Sequence, residues 1–138
     1  MIALTAYISS LYLTKGFSCD GTSLRVACTP GKHAPAQSST CFSCGTDNMY
    51  SNMSAAPSCT KCEENSFTSG GSSITRTECE PCPEGNACDG SSKRSTCAAG
   101  TYSPQGGGFC SPCSHNNLYS SAGTAECKKC GLVVPLFY

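Results

Sequence analysis

Twelve of the fourteen cysteines recur in one register, and that register constrains the fold more than any other feature of the chain. Cys19, Cys28, Cys41 and Cys44 return 69 residues later as Cys88, Cys97, Cys110 and Cys113, while Cys59 and Cys62 return 68 residues later as Cys127 and Cys130. A pattern that restarts at a fixed period means stacked supersecondary units rather than one closed core. The restart lies in Cys79-Glu-Pro-Cys82-Pro-Glu-Gly-Asn-Ala-Cys88. Four parts follow: an apolar N-terminal segment over 1–18, a first cysteine-rich repeat over 19–87, a second, incomplete one over 88–130, and an apolar tail over 131–138.

A chain of 138 residues could bury a sizeable core, but this one lacks the side chains for it. It has no Trp, and its hydrophobic fraction of 38% includes the 14 cysteines. Cysteine at about one residue in ten is the level of a disulfide scaffold, and disulfides persist in oxidising compartments. The protein is therefore expected outside the cell or on its surface. Zero formal net charge and only 13% charged residues leave no basic field for nucleic acid or an anionic membrane surface. No stretch reaches the length of a membrane span. Met1 to Thr14 is apolar without the basic start of a secretory leader. There Ile2, Leu4, Ala6 and Ile8 alternate with their neighbours, which reads equally as an intersubunit strand or as an incidental leader fragment.

Between the cysteines a smaller motif recurs. A ring stands five or six residues after a cysteine, followed in most loops by Ser or Thr and then by a Gly- or Ser-rich turn. The rings are Tyr50, Phe67, Tyr102 and Tyr119, with His33 as the one non-hydrocarbon substitute. Flanks this short and this rich in Ser and Thr argue for hairpins rather than helices. Each ring is expected to pack on a neighbouring disulfide as a miniature core.

Cysteine count alone leaves connectivity open, but the repeat restricts it. Joining the second cysteine of each Cys-x-x-Cys pair to the first of the next closes one hairpin at a time. That rule pairs Cys28 with Cys41, Cys44 with Cys59, Cys62 with Cys79, Cys97 with Cys110 and Cys113 with Cys127, and the junction supplies Cys82 with Cys88. Cys19 and Cys130 are left over, as candidates for bonds between subunits. Zinc is the rival, because Cys41 to Cys62 has near-ribbon spacing; a redox Cys-x-x-Cys would need a strand-to-helix context that is missing. Nothing in the sequence assembles a catalytic constellation: His33 and His115 have no partner at a meaningful spacing, and Asp20, Glu63, Glu64 and Asp89 make no calcium loop. No enzyme activity, metal or other cofactor is expected. Asn52-Met53-Ser54 is an acceptor triplet for N-glycosylation, so covalent glycans are.

The stretch CAAGTYSPQGGGFCSPC, preceded by CPEGNAC and followed by CSHNNLYSSAGTAECKKC, resembles the ephrin-receptor-like cysteine-rich repeat, itself similar to the first loop of tumour-necrosis-factor-receptor modules. The resemblance covers about Cys19 to Cys130 and is clearer in the second copy. It implies a role in spacing, coating or assembly, as in receptor ectodomains, protist surface antigens and flagellar-hair proteins. The expected fold is small and disulfide-rich, an elongated ladder of short β-hairpins and coil with no large hydrophobic core and little or no helix. The expected function is that of an extracellular structural protein, joining copies of itself, or neighbouring repeats of one polypeptide, head to tail into a filament or coat. A ligand-binding receptor ectodomain is the alternative, and a zinc-ribbon array a remote one.

Overall fold

A computed structural model of the chain describes residues 14–131 apart from 20, 22 and 23. The alternation over residues 1–13 and the apolar tail over 132–138 lie outside the described residues. None of the described residues is helical. Among the described residues fourteen strands of two to four residues pair antiparallel, two by two in chain order, into seven hairpins.

The first hairpin joins β1 (Phe17–Ser18) to β2 (Val26–Ala27), and the second joins β3 (Lys32–His33) to β4 (Phe42–Ser43). β5 (Met49–Tyr50) with β6 (Thr60–Lys61) makes the third, and β7 (Ser66–Ser69) with β8 (Glu78–Pro81) the fourth and longest. The fifth pairs β9 (Asn86–Cys88) with β10 (Arg94–Thr96), and the sixth β11 (Thr101–Tyr102) with β12 (Ser111–Pro112). β13 (Leu118–Tyr119) and β14 (Lys128–Lys129) close the seventh. The first hairpin takes in residues that the cysteine pattern alone leaves in the N-terminal segment.

Two-stranded units of this size are not stable in water by themselves. Here each hairpin passes backbone hydrogen bonds to the next. The Gly16 N–H donates to the Ala34 carbonyl and Gly31 to Ser51, carrying the ladder from the first hairpin to the third. Ser51 donates to Arg76, Thr68 to Ser91, Gly85 to Ser103 and Gly100 to Ser120, reaching the seventh. The period of 69 is legible in these bonds. Gly16 to Ala34 matches Gly85 to Ser103, both at 2.7 Å, and Gly31 to Ser51 matches Gly100 to Ser120. A close approach repeats as well: a Cβ at Gly16 would run into the Ala55 carbonyl, and one at Gly85 into that of Gly123. Glycine is therefore required at both positions.

Burial is scant and sulfur-centred. The buried apolar residues are Cys28, Cys62, Cys82, Cys88 and Cys97 with Ala34, Ala56 and Phe67. Phe67 forms the core cluster with Cys82 and Cys88, so its ring does rest on a disulfide. The other rings are more open. Tyr50 and Tyr102 are half-buried and Tyr119 is 49% exposed. Among the described residues no hairpin follows that of Tyr119. His33 lies beside the next staple instead, with Nδ1 3.5 Å from the Cys59 sulfur and its ring tilted against Phe42 at 6.1 Å.

Candidate functional site

Six disulfides staple the ladder: Cys28–Cys41, Cys44–Cys59, Cys62–Cys79, Cys82–Cys88, Cys97–Cys110 and Cys113–Cys127. Five close loops with sequence separations of 13 to 17 residues, and the junction bond spans 6. Each Cys-x-x-Cys pair is split, its first sulfur bonded backwards; the second bonds forwards, except at Cys130. The four cysteines of the zinc-ribbon spacing, Cys41, Cys44, Cys59 and Cys62, therefore belong to three different disulfides, and bonded sulfurs offer no thiolate to a metal. Cys130 is an exposed thiol, and Cys19 is half-buried and outside the six bonds. Such a set of bonds belongs to a protein of an oxidising compartment. Among the described residues no helix is long and apolar enough to cross a membrane.

Where the first copy meets the second, one carboxylate ties three hairpins together. Asp47, between β4 and β5, accepts the Arg76 Nε–H on Oδ1 at 2.6 Å. On Oδ2 it accepts both the Ser92 N–H at 3.0 Å and the Ser92 hydroxyl at 2.6 Å. Those donors come from the fourth and fifth hairpins, 29 and 45 residues away. Burial works to raise the Asp47 pKa, but the Ser92 bonds and the Arg76 guanidinium outweigh it and hold the carboxyl below its ordinary value. Thr68, 1% exposed, adds a second tie, donating its hydroxyl to the Asp47 carbonyl and its N–H to Ser91. Arg94 lies 4.6 Å above the Phe67 ring and closes the cluster from the fifth hairpin. Arg25, its equivalent one period earlier, covers Phe17 at 3.9 Å. The Ser91 hydroxyl and N–H similarly hold Asp89 below its ordinary pKa.

Sequence reasoning missed Asp47, Arg76, Ser92 and Thr68. They are single polar residues, Thr68 in β7 and the others in loops, and no spacing rule joins positions that meet only when hairpins stack. The 69-residue equivalent of Asp47 is Asn116, so the seventh hairpin carries the frame of the third without its charge.

Exposed apolar side chains run along the ladder, from Leu24 and Val26 in the first hairpin through Phe42, Met53, Ile74 and Phe109 to Tyr119 in the seventh. At the seventh hairpin Tyr119 is exposed, whereas its equivalent Tyr50 is bridged in parallel to Arg76 of the fourth. In the first hairpin Leu24 is 70% and Val26 59% exposed. Their equivalents in the fifth are Lys93 and Ser95, so this excess of apolar surface is specific to the first copy. Phe42, 51% exposed, stands where the second copy has Ser111. Part-way along, an open cleft of about 540 Å³ lies between Glu63, Glu64, Asp89 and the glycines 106–108, with Phe109 at its rim. Asn52 is exposed on the turn of the third hairpin. No family model and no curated protein matches this chain.

Proposed function

We propose that the protein is an extracellular structural protein whose disulfide-stapled repeats assemble head to tail into a filament or surface coat. The observation that carries this reading is the one-dimensional transfer of backbone hydrogen bonds from hairpin to hairpin among the described residues. A stack whose hairpins contact those one and two places along extends by adding another hairpin. A head-to-tail contact between unlike surfaces does not close on itself and gives a filament. Tyr119 in the seventh hairpin, and Leu24 and Val26 in the first, are exposed side chains that such a contact would bury. The resemblance to ephrin-receptor-like repeats supports the same assignment, since such repeats space and coat.

Imaging of the native protein together with sedimentation at rising concentration tests this. Fibres or sheets with an axial repeat of about one chain length are expected, with sedimentation coefficients that climb with concentration. Monomers at every concentration and isolated particles on the grid would sink the proposal. A ligand-binding ectodomain is the second reading. The cleft beside Phe109, with carboxylates on one wall and a ring 68% exposed, favours it, and a cationic ligand would suit that lining.

A further inference from the structure

The single residue by which the two copies differ in period falls in one turn, and it can be located by matching hydrogen bonds. Ser51 and Ser120 accept equivalent bonds from Gly31 and Gly100, so the offset there is still 69. Ala55 and Gly123 donate equivalent bonds to the carbonyls of Cys28 and Cys97, and there the offset is 68. Between these anchors the second copy has only Ser121-Ala122, whereas the first has Asn52-Met53-Ser54. The additional residue therefore belongs to the acceptor triplet.

The flanks of that triplet are held and the triplet itself projects. Ser51 is 5% exposed, donates its N–H to Arg76 and places its hydroxyl 3.3 Å from the Met53 carbonyl. Ala56 is 2% exposed and accepts from the Ala34 N–H. Asn52, Met53 and Ser54 are all exposed and lie outside every strand. An enzyme that modifies Asn52 must reach its amide and the Ser54 hydroxyl two residues on, and this turn offers both without breaking a pairing between strands.

We propose that Asn52 carries an N-linked glycan, which makes the turn of the third hairpin the decorated edge of the ladder. This rests on the extracellular assignment, because the transfer takes place in the secretory lumen. The donor is a lipid-pyrophosphate-linked oligosaccharide. The Asn52 Nδ2 forms a bond to the anomeric carbon of the first sugar as the bond from that carbon to the pyrophosphate oxygen breaks. The lipid pyrophosphate leaves with the electron pair, the amide gives up one proton, and nothing is oxidised or reduced. Met53 and Pro57, lining a shallow hollow with Ala56 and Thr60, form an apolar floor beside the first sugar.

Peptide mapping of the full chain secreted from a eukaryotic cell behind a heterologous leader tests the proposal. Amidase treatment in heavy-oxygen water should lower the intact mass by one oligosaccharide and convert residue 52 to labelled Asp. Asn52→Gln should abolish the change and Ser54→Thr should preserve it, each with the six disulfides intact. An unmodified Asn52 peptide from secreted, disulfide-bonded protein would overturn the glycan and leave the extracellular assignment standing. Native protein recovered with its cysteines reduced would overturn that assignment instead, whatever the state of Asn52 in the secreted form.

Discussion

Asp47 does at the residue scale what a hydrophobic core does elsewhere, because its two oxygens gather donors from two other hairpins. Its pKa is lowered in the folded chain, so its contribution is present above the unfolded value, about 3.9 for Asp, and is lost as pH falls through the folded value. Thermal stability should therefore decline below about pH 4. Asp47→Asn should cost about 1–2 kcal/mol near neutral pH and flatten that acid limb, as scanning calorimetry across pH would register. An unchanged limb would deny Asp47 this role. A second residue-scale effect concerns Ala55, which has φ 57° where its equivalent Gly123 has φ 73°. Left-handed backbone strains any residue with a Cβ. Ala55→Gly should gain up to about 1 kcal/mol and Gly123→Ala should lose about 1 kcal/mol, and melting temperatures that move in the same direction would contradict the equivalence.

At the scale of the element, each hairpin combines a pair of two- to four-residue strands with a covalent staple, and neither suffices alone. Loops of the observed lengths give about 3 kcal/mol per disulfide in the chain-entropy account. The junction bond closes the shortest loop but carries the Phe67 ring on its sulfurs, so its removal costs packing as well. Replacing Cys82 and Cys88 together by Ser should cost about 3 kcal/mol or more. In a stack held by contacts between hairpins one and two places apart, the damage stays local. Hydrogen exchange should rise in the fourth, fifth and sixth hairpins while Gly31 and the amides of the second keep their protection. Uniform loss of protection would mean that the hairpins fold as one unit.

For the whole molecule, the consequences are those of a linear array with two different ends. Full reduction should unfold the chain, because eight buried apolar residues, five of them cysteines, cannot replace six staples. Loss of the amide-protection pattern on adding reductant would register this, and retained protection would contradict it. Assembly should respond to the ends and not to the middle. Leu24→Ser with Val26→Ser should shift association to at least tenfold higher concentration, the effect of removing about 1.4 kcal/mol from the contact. Phe109→Ser, beside the central cleft, should leave association unchanged. Equal effects of the two variants in sedimentation would point away from a head-to-tail contact.

The ladder of hairpins was legible in the cysteine spacing, because consecutive Cys-x-x-Cys pairs bring their chain ends within bonding reach only if the segment between them folds back. Absence of helix was legible for a related reason, since Gly- and Ser-rich loops this short hold no helical turn against a staple. Lateral contacts were a different matter. That Phe67 is buried while Tyr119 is open, and that Asp47 meets Arg76 and Ser92, depends on which hairpin lies beside which. Those neighbours are set by hydrogen bonds between whole hairpins, whose donors include the recurring glycines 16, 31, 85 and 100 but whose acceptors share no single residue type. By itself the sequence determined the covalent and local order of the ladder. The tertiary structure alone decided how its rungs are tied, where its surface is apolar, and which turn presents Asn52.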